Sequence, residues 1–387
     1  MKKNVIIKIY DNEGNFKKAW KDARFVGFSK QVNGGLGECV IDLAREFDNY
    51  GEYADVALNN EVRILITDKD TDGSSEKYKL IYSGYITQYE PWVDGKKEGV
   101  IIQALGYYTK LSQDIYKNGT TTTIVEAAED IGVMFRNVMD RYIAETTGQK
   151  LHYSVETIRE TGTDGTYTFE MSTYREAIEV IKSLAPTDWW WYINQYNEVI
   201  FKSKPTEATH TFIFGRHFSK VNVKKSLSKI KNAVLFWNTR TDGDKIYKLY
   251  SDAESIGKYG RRVQKIVDQD RVGAEADADY IGQAFVAENK GAHIQVEVEI
   301  IDNNNDDKLG YDIESIEPGH TCNFAGFNEA LNETFKENML ITKVDYQLDR
   351  VVITIEPLRA GVVDRQEQIN KKVDDISSAG TPTDYTT

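Results

Sequence analysis

From His293 to Asp302 the chain reads HIQVEVEIID, and its side chains alternate without a break. Ile294, Val296, Val298 and Ile300 fall on one face, and Gln295, Glu297 and Glu299 fall on the other. A period of two predicts a strand with one face buried. Related signals recur along the chain. Val5–Tyr10 (VIIKIY) is a short apolar run closed by the turn Asp11–Gly14. Phe25, Val26, Phe28 and Val32 lead into Asn33-Gly34-Gly35, and Cys39 to Leu43 follow, which reads as a hairpin. VRILITDKD and KYKLIYSGYITQYEPW are separated by the polar loop Asp70 to Glu76, and Gly99 to Tyr107 (GVIIQALGY) completes this part. Repeated short strands with turn signals predict an antiparallel sheet or barrel. Beyond Thr209 the pattern returns in FIFG, NAVLFWNTR and KIYKLYSD. After the turn Pro318-Gly319 comes MLITKVDYQLDRVVITIEPL, a hairpin around Leu348 to Arg350.

Between these β-rich stretches the period changes. Ile124, Ala127, Ala128, Ile131, Phe135, Val138 and Tyr142 fall at helical spacing, and Thr120 to Thr123 supply N-caps, so a helix is expected over Ile124–Tyr142. A second helix is expected over Ser172–Leu184, capped by Ser172 or Thr173, with Ala177, Ile178, Ile181 and Leu184 as its stripe. WWWYINQYNEVIFKSKP then reads as a hairpin around Asn194 to Asn197. An isolated helix is expected over Gly273–Lys290, with Ala274, Ala278, Ile281, Phe285 and Val286 inward. Near the end, Val362, Ile369 and Ile376 repeat every seven residues with Val373 between the last two, about two heptads of a helix that would zip up only with several chains already held together. Ser377 to Thr387 is polar and reads as a disordered end. One hairpin pattern occurs twice: SGYITQYEPWVDGKKEGVIIQALGY and MLITKVDYQLDRVVITIEPL each pair an Ile-Thr-led strand with a Val-Ile-rich return strand. That repetition allows two related barrels in one chain.

A search for chemistry is mostly negative. Among 387 residues there are five histidines, His152, His210, His217, His293 and His320, and none forms HExxH or another close ligand pair. There is no GxSxG elbow. The two cysteines, Cys39 and Cys322, are far apart and give neither a disulfide framework nor a metal pair. Asn33-Gly34-Gly35-Leu36-Gly37 lacks the Gly-Lys-Ser/Thr of a phosphate loop and reads as a turn. Asp302 to Asp307 (DNNNDD) lacks the Gly and closing Glu of a calcium loop and reads as a solvated loop. No catalytic, cofactor-binding or metal-ligating residue is assigned. Trp189-Trp190-Trp191 is the sharpest local feature; alternation puts Trp189 and Trp191 on one face, a candidate aromatic surface for a sugar ring or one that packs under the nearby helix. Net charge is −13, which argues against a general affinity for nucleic acid. No signal peptide or membrane-spanning stretch is visible.

Three groups of residues, in this order, carry a resemblance to a known family. They are YSGYITQYEPW followed by VIIQALGYYTKLSQ; the middle helix, aromatic strand and VIFKSKP; and IKNAVLFWN, SDAESIGKYGRRVQKI, GAEADADYIGQAFVAENK and IEPGHTCNF. From about Tyr78 to Leu358 the chain resembles the baseplate-hub and tail-tip (tail-associated) proteins of phages and phage-like tails. The resemblance implies a mainly β chain with an α/β insertion: a first tube-like β-barrel at 1–112, an α/β middle domain at 113–206, a second tube-like barrel with one helix at 207–360, and a C-terminal helix and tail at 361–387. It implies a homotrimeric ring that joins a six-fold tail tube to a three-fold tip and lines a DNA exit channel. The implied partners are the tube ring, the tape-measure protein, and a tip, spike or receptor-binding protein, with DNA passing unbound. The implied location is the virion tail tip or baseplate, after synthesis in the bacterial cytoplasm. No enzymatic activity is expected. The rival readings are a tail-associated cell-wall hydrolase or endopeptidase, and a carbohydrate-binding module for host recognition. Many members of the family carry a C-terminal extension with a lytic or receptor-binding module; this chain stops soon after its expected helix, so no such activity is expected of it.

Overall fold

The computed structural model describes residues 4–21, 23–46, 56–67, 78–95, 97–116, 124–169, 172–186, 188–227, 230–239, 245–267, 282–283, 285–286, 289–291, 293–302, 311–326 and 338–355. The chain is mostly β, with a large antiparallel sheet and few helices. It divides into two compact units, one formed by Met1–Asn222 with Val296–Glu356, the other by Val223–Gln295 with Pro357–Thr387.

The first unit begins with β1 (Val5–Tyr10), β2 (Phe16–Trp20), β3 (Arg24–Gln31), β4 (Gly34–Glu46), β5 (Glu61–Thr67), β6 (Tyr78–Asp94) and β7 (Lys97–Leu105). Alternation is what buries them: in β5, Val62, Ile64 and Ile66 are buried while Arg63, Leu65 and Thr67 are half-buried. The expected hairpin at Asn33 is formed by β3 and β4, with Asn33 in the left-handed region at φ 54°. β6 outruns its neighbour. Its pairing with β5 ends at Tyr85, whereas its pairing with β7 continues to Asp94. There Trp92 lies across Gly99, a position with no room for a Cβ, and its indole N–H donates to Asp42 at 3.3 Å.

Next come β8 (Ile115–Tyr116), β9 (Ile124–Asp130), α1 (Ile131–Glu145), β10 (Asp164–Phe169), β11 (Ser172–Thr173), α2 (Tyr174–Leu184), β12 (Trp189–Ile193) and β13 (Val199–Ser203). The helix expected over Ile124–Tyr142 is corrected: its first half is β9, paired antiparallel with β10, and the helix starts at Ile131. The cap is Asp130, not the Thr run. Its carboxylate accepts from the N–H of Gly132 (2.7 Å), Thr161 (2.9 Å) and Gly162 (2.7 Å). A tertiary strand partner and a local cap together outweigh helical spacing. α2 begins as expected, with Thr173 and Glu176 forming a reciprocal capping box. The buried faces of α1 and α2 meet β12 and β13 in one apolar cluster, where Phe135 stacks on Phe201 at 4.6 Å.

Further along lie β14 (His210–Ile213), β15 (Val221–Ser226), β16 (Ala233–Thr239), β17 (Lys245–Ser251), α3 (Ala253–Tyr259), β18 (Val263–Val267), β19 (His293–Ile301), β20 (Thr321–Ala325), β21 (Met339–Tyr346) and β22 (Arg350–Ile355). In the first unit β19, β22, β21, β3, β4, β7, β6, β5, β1 and β2 follow one another across the sheet, an open path among the described residues. β21 pairs with β3, so the C-terminal hairpin extends the N-terminal sheet. The alternation of β19 is as read, with Val296, Val298 and Ile300 buried.

In the second unit β16 is central, antiparallel to β17 and parallel to β18. Buried Asn232 fixes the turn around α3 by donating to Ser255 Oγ (3.1 Å) and Gly260 O (2.8 Å) and accepting from Arg262 N–H (2.7 Å). Most of the helix expected over Gly273–Lys290 lies outside the described residues. Phe285 and Val286 are helical and buried, as the stripe predicts.

Candidate functional site

A polar constellation in the first unit is built on the connector Tyr311–His320 (YDIESIEPGH). Asp312 caps a short 3-10 turn by accepting from Glu314 N–H at 3.1 Å, and Tyr346 O–H donates to Glu314 Oε1 at 2.9 Å. Gly319 sits at φ +86°, and the Trp190 ring occupies the space where its Cβ would be, so glycine is required twice over. Gly319 N–H donates to Ile341 O (2.8 Å) and Ile341 N–H to His320 O (2.9 Å), which fastens the turn to β21.

Glu317 is the hub of this connector. Its carboxylate accepts from Lys30 Nζ at 2.7 Å, Tyr192 O–H at 3.3 Å and Gln195 Nε2 at 3.5 Å. Ser83 Oγ lies 2.7 Å from Gln195 O and 2.9 Å from Asn197 Oδ1. Strands β3 and β6, the β12–β13 hairpin and the connector thus meet through side chains far apart in sequence. Lys30 is only 3% exposed, and such a buried ammonium needs its anion.

His320 continues the network. His210 Nε2 lies 2.9 Å from His320 Nδ1, and His210 Nδ1 lies 2.6 Å from Tyr311 Oη. His217 packs its ring on Tyr311 and accepts from Ile213 N–H at 3.2 Å. Burial holds His210 down at about 4, with the neighbouring His320 adding to the effect. Burial also lowers His217 and His320. Asp312 is pushed up to about 6 by burial and by its hydrogen bond to Glu314. Cys322 is raised to about 12 by burial, so it is a thiol and a poor nucleophile at neutral pH. The arrangement can lock segments together and exchange protons. Among the described residues it holds no serine or cysteine in a hydrogen bond to a histidine.

The structure brings His210, His217 and His320 together, a grouping that sequence spacing missed. His210 and His320 are 110 positions apart, and Lys30 and Glu317 are 287 apart, so no local pattern marks them. No cluster of three or more His, Cys, Asp or Glu able to hold a metal occurs among the described residues. The candidate aromatic surface is corrected. Trp189 is 7% exposed and packs on Phe201 at 4.9 Å, and Trp191 is fully buried, because both lie under α1 and α2. Val362, Ile369, Val373 and Ile376, and Asn303 to Asp307 of the DNNNDD run, lie outside the described residues.

Two open strand margins complete the picture. Among the described residues β2 pairs with β1 alone, and the Thr87–Asp94 stretch of β6 pairs with β7 alone. Lys17 and Lys18 on β2, and Pro91 on β6, are residues that blunt indiscriminate strand addition. Tyr89 and Val93 are exposed on that stretch of β6. No helix among the described residues is long and apolar enough to cross a membrane.

The fold is similar to those of several solved tail proteins. The chain is similar to the 43 kDa tail protein of prophage MuSo2 from Shewanella oneidensis, with 12% identity, TM-score 0.63, and coverage of 93% of this chain and 99% of that one. It is also similar to a tail protein from Neisseria meningitidis MC58, with 8% identity, TM-score 0.60, and coverage of 94% and 99%. A third likeness is to prophage tail protein gp18 from Listeria monocytogenes EGD-e, with 12% identity, TM-score 0.55, and coverage of 96% and 99%. At such identities the likeness is one of fold. No protein-family model and no curated protein matches the sequence.

Proposed function

We propose that this protein is a structural component of a phage or phage-like tail, a hub or tail-tip protein that works by assembly rather than catalysis. One observation carries the reading: the fold matches a prophage tail protein over 93% of this chain and 99% of the other. A match from end to end supports a shared architectural role better than a match to one module would. The thiol held protonated at Cys322 and the buried tryptophans favour assembly over hydrolysis and over glycan binding.

In this reading three copies form a ring at the end of a six-fold tube. Two tube-like barrels, at 1–112 and 207–360, present six barrels to it, with the 113–206 α/β domain outside them. Residues 361–387, with Val362, Ile369, Val373 and Ile376 inward, bind the three chains and lead to the tip. The open margins at β2 and at the end of β6 are where neighbouring copies, tube-ring subunits, or the tape-measure and tip proteins would pack. A stable obligate ring would bury on the order of 2,000 Å² or more at each interface. The ring would line the path of the DNA, and the net charge of −13 would keep the DNA from adhering.

Immunogold labelling of intact tail particles with antibody to this chain tests the proposal. Label confined to one end of the tail is expected, and label spread along the tube or absent from particles would overturn it. A cell-wall zymogram with the purified chain should show no clearing; clearing would favour the hydrolase reading.

A further inference from the structure

We propose that the His210–His320 pair is an acid-opened latch that holds the connector Tyr311–Cys322 against β14. Two imidazole nitrogens 2.9 Å apart share a hydrogen bond only if one of them offers a lone pair. With both rings neutral, Tyr311 O–H donates to His210 Nδ1, and His210 Nε2–H donates to His320 Nδ1. One added proton is tolerated by reversing the chain: His320 Nδ1–H donates to His210 Nε2, and His210 Nδ1–H donates to Tyr311 Oη. A second proton leaves two N–H groups and two positive charges face to face. His210 is only 5% exposed, so water does not screen them. The pair must then part, and the connector moves with His320.

The surrounding groups set the direction. Lys30 and Lys202 disfavour charge on His320, and Glu317 favours it. Arg216 stands beside His217. Tyr311 and the thiol of Cys322 are neutral, and the charge of Lys204 acts on that thiol. Asp312 faces Glu314 and Lys79. The open connector binds protons at the ordinary histidine value of 6.5, while the closed one binds them lower, His210 at about 4. Closure is therefore fully favoured above 6.5 and weakens as pH falls toward about 4. Asp312 works the other way: with its value raised from 3.8 to about 6, it takes up a proton over an overlapping window and favours the closed form as pH falls. Asp312 lies on the connector itself, so it offsets part of the loss from the two histidines, and the readout is taken on the connector directly.

The test is hydrogen–deuterium exchange of the full chain at about pH 7.5 and about pH 5, with times corrected for intrinsic exchange. Peptides spanning 209–218 and 311–326 should lose protection about tenfold at the lower pH, while β1 and β5 keep theirs. His320→Gln offers His210 a neutral acceptor at every pH and removes the second charge, so its loss should be clearly smaller than that of the wild type, about threefold, the remainder coming from the burial of His210 itself. Unchanged protection in the wild type, or an equal loss in His320→Gln, overturns the latch. If His320→Gln does not fold, histidine side-chain ¹H–¹⁵N spectra of the wild type decide. Coupled titration below 6 supports the latch, and independent titration of both rings near 6.5 overturns it.

Discussion

Glu61 and Glu317 each bind a lysine across the first unit, but they bury opposite partners. At Glu61 the anion is inside: its side chain is 1% exposed and meets Arg63 Nε at 2.6 Å and Lys150 Nζ at 2.5 Å, while those two cations stay partly wet. At Glu317 the cation is inside: Lys30 is the buried member and the carboxylate is 20% exposed. Two cations back up the first cluster, whereas among the described residues a single salt-bridging carboxylate serves Lys30. The first is redundant and the second is not, although both tie the N-terminal sheet to parts of the chain that follow much later.

That contrast is open to direct attack. The largest effect should come from Glu317→Ala, which leaves the Lys30 ammonium buried without its anion and removes an acceptor from Tyr192 and Gln195; a loss of about 3–5 kcal/mol by chemical denaturation is expected. Gly319→Ala should follow at about 1–3 kcal/mol, because its φ of +86° and the Trp190 ring both resist a side chain. Lys150→Met should cost only about 1 kcal/mol, since Arg63 remains on Glu61; a loss equal to that of Glu317→Ala would erase the claimed redundancy. Thr173→Ala, which removes one half of a capping box, should cost about 1 kcal/mol and shorten α2 without touching either cluster.

Asp130 sharpens the comparison through pH. Burial alone would raise its carboxyl, but hydrogen bonds from Thr161, Gly132 and Gly162 outweigh burial and hold it below the usual 3.8. A depressed acid stabilises the fold above its unfolded value and loses that contribution as pH falls. The stability difference between wild type and Asp130→Asn should therefore be constant above about pH 5 and shrink below about pH 4. A difference that instead changes between pH 5 and 7 would place the effect elsewhere, with the titrating histidines the first suspects.

Most strands were legible before any coordinates. β1, β5, β19 and the β21–β22 hairpin follow from alternation and turn residues, because a half-buried strand writes its environment into every second residue. The start of α2 was legible from Thr173 for the same reason: a cap is a local interaction. The segment Ile124–Asp130 was misread because its helical spacing is real but its partner, β10, lies some forty residues on. Trp189 and Trp191 showed the right alternation, but alternation does not say which side of a strand is covered; α1 and α2 decide that. The candidate site was the least legible part. Nothing near His210 points to His320, and nothing near Lys30 points to Glu317.

The sequence by itself determined that this chain is mainly β, where most of its strands and its second helix begin, and that no catalytic motif is spelled out in it. Those properties depend on neighbours within a few residues. Tertiary structure alone decided that the last hairpin joins the first sheet through β21 and β3, that the tryptophans are core, and that three histidines and a buried lysine converge on one connector. Such pairings are set by the folded path of the whole chain, because burial makes an unpaired charge costly wherever its partner lies in the sequence.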